Sequence, residues 1–452
     1  MEFFQYPVAF LISIGVLVAV HEFGHFWAAR RVGVRVERFS VGFGPVLWRR
    51  KDRQGTEFCL SAIPLGGYVR LLDKRVEPVP EQDLAYEFSG KGPWARIFVY
   101  IAGPAINFLF AVLVYGFLFT FGVVRLAPII DEVTPNSYAA QAGLVAGDEI
   151  LAIDGKPVKG WETINYALVA RVGDTDAVRV SIRPAESEQR VDRELLLEHY
   201  RFDGRADPLT ALGIKPARPP TPAVVGSIAE GSVAQSIGLE VGDVLLKVDD
   251  QVISRWRDLV EAIAPKPDQS VQLLVQRGTE QLSLAGVPRR VILETGDVVG
   301  RLGIGPEQPA PSDKWVRVYH YGPIEALVKG IEQTGALTTL LLVSLKKMVL
   351  GHISLENLSG PITIAQVAGD SVSYGLEPFL TFLAYLSVSL GVLNLLPIPM
   401  LDGGHILYTV IEMLTGRPLS QKAQERGLKV GVILIMAFMS VAFYNDLVRL
   451  IQ

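Results

Sequence analysis

The amino-acid sequence predicts a multi-domain membrane protein. It has an α-helical transmembrane core of four spans, a small β-rich loop region on the cytoplasmic side, and two tandem small domains, mostly β with short helices. Three observations carry that prediction. Uncharged runs cover 3–20, 97–124, 378–401 and 430–444, and the first three reach the length of about 20 apolar residues that a bilayer requires. Residues 137–158 recur 95 positions later. The 452-residue chain is 49% hydrophobic yet 20% charged, the mixture expected of spans joined to soluble domains.

Charge and cysteine usage narrow the classes. With 43 basic against 47 acidic residues the net charge is −4, so no basic excess points to nucleic acid. Cys59 is the single cysteine, which rules out an internal disulfide and a cysteine-based zinc finger. Glu2 stands where a signal peptide would be basic, and no small-x-small site precedes His21. The first span, 1–30, is therefore expected to stay in the mature protein.

That span ends in His21-Glu22-Phe23-Gly24-His25. Two histidines four apart share one helix face and can grip a single ion, with Glu22 beside them to take a proton from the attacking water. An ionisable cluster on a membrane-type helix is a functional site by default. The plainer alternative is a pair of satisfied structural histidines.

Basic residues set the orientation. Arg30, Arg31, Arg35, Arg38, Arg49, Arg50, Lys51 and Arg53 crowd the stretch from Arg30 to Arg96, and Arg417, Lys422, Arg426 and Lys429 follow the third span. The positive-inside rule puts the loop 31–96 and the connection 405–428 in the cytoplasm, with both termini and the repeats outside. The loop's apolar clusters between glycines, 40–45 and 56–69, read as short strands near the site. Such a strand could pair with an unfolded substrate or be a plain structural hairpin. In the second span, 97–124, Gly103-Pro104 and Asn107 read as helix packing, with Asn107 able to face the site.

The repeat aligns Ser137 with Ser232, Gly143 with Gly238, Gly147 with Gly242, Asp148 with Asp243 and Asp154 with Asp249. Each copy reads as a short helix, a Gly-Asp turn and a strand, giving domains at 125–216 and 217–310. The pattern resembles bacterial PDZ domains, and Leu212-Gly213-Ile214 and Leu302-Gly303-Ile304 are similar to their carboxylate-binding loop. Which repeat each tripeptide serves stays open. The proline-rich 217–222 reads as the linker. In 311–375 an apolar run is broken by Lys346-Lys347, and it reads as an interfacial amphipathic helix.

The third span, 376–404, runs in the same sense as the first, and the fourth is 429–450. The helix of the third span is expected to break at Leu396–Pro397. Eighteen residues of either helix rise about 27 Å, so Asp402 arrives at the depth of His21 and His25 as a candidate third ligand. Of the remaining histidines His199, His320 and His352 lack a ligand-like pairing, and His405 reads as a loop or supporting residue near Asp402. Two imidazoles and a carboxylate leave a zinc ion one open position.

The histidine motif, the 394–404 segment, Pro64-Leu65-Gly66-Gly67-Tyr68-Val69, Gly103-Pro104-Ala105-Ile106-Asn107 and the tandem repeats together resemble the site-2 protease family of intramembrane zinc metalloproteases. The likeness is strongest to its bacterial branch with four spans and two periplasmic PDZ domains. It implies Zn2+ on His21, His25 and Asp402, Glu22 as catalytic acid/base, and Asn394 against the substrate. Pro397, Pro399, Gly66, Gly67 and Tyr68 are expected on the substrate side of the same site. It further implies a multi-pass protein of the bacterial inner membrane with periplasmic termini and PDZ domains. Its partners would be the lipid bilayer and single-span membrane proteins, above all an anti-sigma factor already trimmed by a first protease. Signal-peptide remnants and peptide C-termini at the PDZ domains complete the set, with no nucleic acid. Two rivals are a membrane-anchored PDZ adaptor with a vestigial metal site and a metal transporter; neither predicts zinc-dependent proteolysis.

Overall fold

The computed structural model describes residues 2–172, 176–185, 187, 189–197, 208–217, 219, 221–292, 297–307 and 315–451. His199 and linker positions 218 and 220 lie outside them. The first helix, α1 (Glu2–Arg31), ends with Arg30 and Arg31 in its last turn and Gly33 at φ +71°. Basic residues favour a helix C-terminus, and glycine takes the left-handed turn that stops it. Strands β1 (Val36–Lys51) and β2 (Glu57–Leu71) follow as an antiparallel pair. Both bend, so 38–41 pairs with 67–70 on one side and 57–60 on the other, and 57–61 pairs in turn with 46–51. Phe26 of α1 packs edge-on against Phe39 and Phe58 at 5.7 and 5.4 Å, which docks the ribbon on the helix end.

Helix α2 (Pro93–Phe121) starts with proline at its first position, where no hydrogen bond is lost, and stops at Gly122, φ +94°. It runs antiparallel to α1, since Val99 lies against His25 and Asn107 against His21. The helices touch at Gly24, where a Cβ would lie 2.3 Å from the Ala102 carbonyl oxygen.

From α2 the chain enters β3 (Val123–Leu126) and returns through β18 (Val316–Tyr319), its antiparallel partner. This two-stranded ribbon brackets two modules. The first comprises β4 (Ile130–Val133), α3 (Tyr138–Gln141), β5 (Glu149–Ile153), β6 (Lys156–Pro157), α4 (Trp161–Arg171), β7 (Ala177–Arg183), β8 (Val191–Leu196), α5 (Pro208–Leu212) and β9 (Ile214–Pro216). The second comprises β10 (Val225–Ile228), α6 (Val233–Ser236), β11 (Val244–Val248), β12 (Gln251–Val252), α7 (Trp256–Ile263), β13 (Val271–Arg277), β14 (Glu280–Gly286), β15 (Arg289–Ile292), β16 (Val298–Arg301) and β17 (Ile304–Pro306). Their main sheets are ordered β6-β5-β7-β8 and β12-β11-β13-β14.

The repeat spacing is physical. Ser137 and Ser232 each accept a backbone N–H three residues on, from Ala140 at 3.2 Å and Gln235 at 3.3 Å. Asp154 and Asp249 both adopt positive φ and accept backbone N–H groups from β7 and β13. Each Leu-Gly-Ile closes its own module: Ile214 pairs with Val133, and Ile304 with Ile228.

Asp243 is buried at the Gly-Asp turn and accepts the Glu240 N–H at 2.9 Å. The Arg277 guanidinium, 2.8 Å from each oxygen, holds its carboxyl below the usual range. A depressed carboxyl stabilises the fold above its unfolded value of about 3.9, and that contribution is lost as pH falls through the folded value. Asp243→Asn is expected to cost about 1.5–3 kcal/mol. It should lower the urea midpoint for proteolysis of the second module in the full-length protein; an unmoved midpoint contradicts this.

Helix α8 (Pro323–Val349) occupies the segment expected to hold an interfacial helix. The sequence showed four uncharged runs; among the described residues five helices are long and apolar enough to cross a membrane: Gln5–Arg31, Pro93–Phe121, Pro323–Val349, Leu376–Leu395 and Gln421–Leu450. Charges at Glu325, Lys329, Glu332, Lys346 and Lys347 fall towards the ends of α8 and leave an apolar stretch between them. Its start packs on α2, with Leu327 beside Gly116. Its last turn is fixed to the first module, where Lys347 Nζ donates to the carbonyls of Ala170 and Val172.

After α9 (Pro361–Ser373) come α10 (Leu376–Leu395), α11 (Asp402–Thr415) and α12 (Gln421–Ile451). Residues 405–428, the expected connection after the third span, hold most of α11 and the start of α12. Near the start of α1, Gln5 bonds α9 at Gly369 and Ser373, and Ala9 packs with Phe382 of α10. The far ends of α1 and α10 meet at the site, so these two helices run in the same sense. Helix α12 runs the other way. A Cβ on Gly431 would lie 2.0 Å from the Pro399 carbonyl oxygen, and at the opposite end Asp446 accepts the Gly360, Ile362 and Thr363 N–H groups.

Candidate metal centre

Helix α1 presents His21 and His25 on one face, their ring centroids 4.8 Å apart. His25 Nδ1 lies 2.8 Å from the Val99 carbonyl oxygen. A carbonyl only accepts, so Nδ1 carries the proton and Nε2 turns a lone pair inward.

The carboxylate arrives through a broken helix. Leu396 ends α10 at φ −62°, ψ 143°, the extended backbone that a following proline favours. The chain then turns through Met400 at φ +95° into α11, whose first residue is Asp402. A negative charge is favourable in a helix's first turn. Both following glycines are sterically required. A Cβ on Gly403 would lie 2.3 Å from the carbonyl oxygens of Leu395 and Leu396, and one on Gly404 2.4 Å from that of Ile398.

His21 Nε2 lies 3.1 Å from His25 Nε2, and Asp402 Oδ2 is 3.3 and 3.4 Å from the two nitrogens. That oxygen is buried and has no hydrogen-bond donor. Acceptor atoms gathered out of water repel one another and are costly unless a cation joins them. The spacing fits zinc, because tetrahedral bonds of about 2.0–2.1 Å separate neighbouring ligands by about 3.3 Å. Among the described residues this trio is the one histidine, cysteine and carboxylate group so assembled.

Glu22 neighbours the trio along α1. Gly67 of β2 lies against it, since a Cβ there would be 3.6 Å from Glu22 Cγ, 3.0 Å from Val18 Cγ1 and 2.6 Å from the Ser40 carbonyl oxygen. Gly66 takes φ +128° in the same strand, and Tyr68 stacks on Phe43 at 6.1 Å. Asn394 is half-buried in the last turn of α10, eight residues before Asp402. Pro397 is exposed, and Pro399 is half-buried against α12. His405 stacks on Tyr100 at 5.0 Å, apart from the ligand trio.

Helix α2 contributes more than packing. Val99, Gly103 and Asn107 form a stripe of four-residue spacing against the two histidines. Asn107 Nδ2 lies 3.2 Å from His21 Nδ1. The same spacing was present in the sequence, without a sign of which helix it faced.

The chain matches peptidase family M50 over residues 9–438. It is 42% identical over 443 residues to the regulator of sigma-E protease RseP of Salmonella typhimurium (strain 14028s / SGSC 2262), covering 98% of each chain. The Escherichia coli (strain K12) protein of the same name is 40% identical with the same coverage. A putative zinc metalloprotease of Vibrio cholerae serotype O1 is 41% identical over 445 residues, again 98% of both. Among solved structures, a PDZ domain of an SdrC-like protein from Listeria monocytogenes matches 20% of this chain and 92% of its own at 16% identity. Its TM-score of 0.17 is too low to carry a fold assignment.

Proposed function

The chain belongs to peptidase family M50, as a zinc metalloprotease of the site-2 type, and from that premise we propose which residues do the work and on what substrate. His21, His25 and Asp402 hold the zinc, and Glu22 is the acid/base. The carrying observation is the convergence of three ligand atoms with Glu22 next to them. An intact ligand set is also hard to reconcile with a vestigial site.

Zinc, when bound, polarises the scissile carbonyl and lowers the pKa of water towards about 7. Glu22 takes the water's proton and returns it to the leaving amine. A transmembrane helix hides its carbonyls in its own hydrogen bonds, so the substrate must unwind to be cut. Residues 66–69 of β2, beside Glu22, offset the lost bonds by pairing with the unwound chain. Asn394, Pro397 and Pro399 line the substrate's path at the broken end of α10.

The substrates are single-span membrane proteins already trimmed by another protease, an anti-sigma factor above all, with signal-peptide remnants beside it. Relatives named as regulators of sigma-E protease support this reading. Four helices, α1, α2, α10 and α12, cross the inner membrane, with both termini and both modules periplasmic. The modules act as a PDZ-type size screen. A groove of about 420 Å³ beside Leu302-Gly303-Ile304, lined by Trp256, Leu259 and Ile263, suits a peptide C-terminus.

The test is cleavage by detergent-purified protein of one single-span substrate in trimmed and untrimmed forms. Only the trimmed form should be cut; a chelator should stop cleavage and added zinc restore it. Chelator-insensitive cleavage overturns the metal mechanism, and equal cutting of both forms overturns the size screen.

A further inference from the structure

We propose that Asn107 is a positioning residue for the metal centre: its side-chain carbonyl accepts the His21 Nδ1–H and so holds Nε2 open towards the ion. Asn107 is fully buried where α1, α2 and α10 meet, and its backbone carbonyl accepts the Ser387 hydroxyl at 2.9 Å. Its amide lies 3.2 Å from His21 Nδ1.

The chemistry fixes which amide atom must face the ring. A neutral imidazole that gives one nitrogen to a metal carries its proton on the other, and that N–H needs an acceptor. With Nδ2 towards the ring, two donors would meet, while Oδ1 remains buried without a donor. The two ends of the amide have nearly the same shape, so half a turn about its bond exchanges them within the same space. Oδ1 then receives the Nδ1 proton.

The two imidazoles are therefore held differently. His25 is locked by the Val99 backbone carbonyl, which no side-chain replacement removes. His21 is locked by a side chain, and the geometry of half the histidine pair depends on it.

The inference rests on the ligand assignment above, and the two fail differently. The probe is zinc alone, titrated against a competing chelator into detergent-solubilised full-length protein. Asn107→Leu, similar in size with no polar atom, should weaken zinc binding about 10- to 100-fold. Asn107→Asp, which accepts but cannot donate at neutral pH, should bind zinc within a few-fold of the parent protein or more tightly. The aspartate variant carries the test if the leucine variant does not fold. Aspartate binding as weakly as leucine would overturn the proposal, as would parent-like binding by a folded leucine variant. If instead the parent protein takes up no zinc, the ligand assignment has failed.

Discussion

Glu22→Gln should leave zinc in place and stop cleavage. Glutamine keeps the length and shape of glutamate but takes no proton, and position 22 lies outside the trio that gathers around the ion. General acid–base catalysis contributes about 10²- to 10⁴-fold. The variant's kcat/KM on a trimmed single-span substrate should fall by at least the upper part of that range, because one group both takes and returns the proton. Zinc per chain should be unchanged. Retention of activity within tenfold of the parent would remove Glu22 from the chemistry, while loss of zinc would make it a ligand.

The second large effect comes from a residue with no polar side chain. A Cβ on Gly103 would lie 2.4 Å from His25 Nε2, 2.7 Å from His25 Cε1 and 2.8 Å from His21 Cε1. All three separations are below real contact distances, and neither ring can easily withdraw. His25 is tied to Val99, and the helices already touch at Gly24 and Ala102. Gly103→Ala should therefore abolish both zinc binding and cleavage, although every ligand and Glu22 remain. Gly15→Ala is the matched control, since nothing lies within 4 Å of a Cβ there. It should keep zinc and activity. Normal zinc content in a folded Gly103→Ala protein would show that the α1–α2 crossing is looser than described.

What the sequence revealed about the site followed from short-range geometry. His21 and His25 are related by one helical turn, and Asp402 follows a proline that dictates where its helix ends. Counting rise per residue along two parallel spans was enough to bring 402 near 21 and 25. Asn107 was legible as able to face the site, but its histidine partner was not, nor were the parts played by Gly103 and Val99. A stripe of four-residue spacing in α2 names a face but not the helix it meets, and Val99 acts through a backbone atom that any residue would supply.

The fold divides similarly. The constant offset of 95 marked the modules because serine caps and Gly-Asp turns recur residue by residue. Leu212 and Leu302 are offset by 90 instead; α5 runs into the first tripeptide, whereas β15 and β16 precede the second. That difference concealed which module each tripeptide closes. At α8 the apolar run was legible as a helix, and its terminal charges favoured an interfacial reading over a span.

Zinc per chain in purified Asp402→Ala, beside the parent protein, tests the central claim most directly. About one zinc in the parent and almost none in the variant is predicted, because two imidazoles alone leave the tetrahedral site half-filled. A full complement of zinc in a folded Asp402→Ala protein would contradict a metal centre shared between α1 and α11.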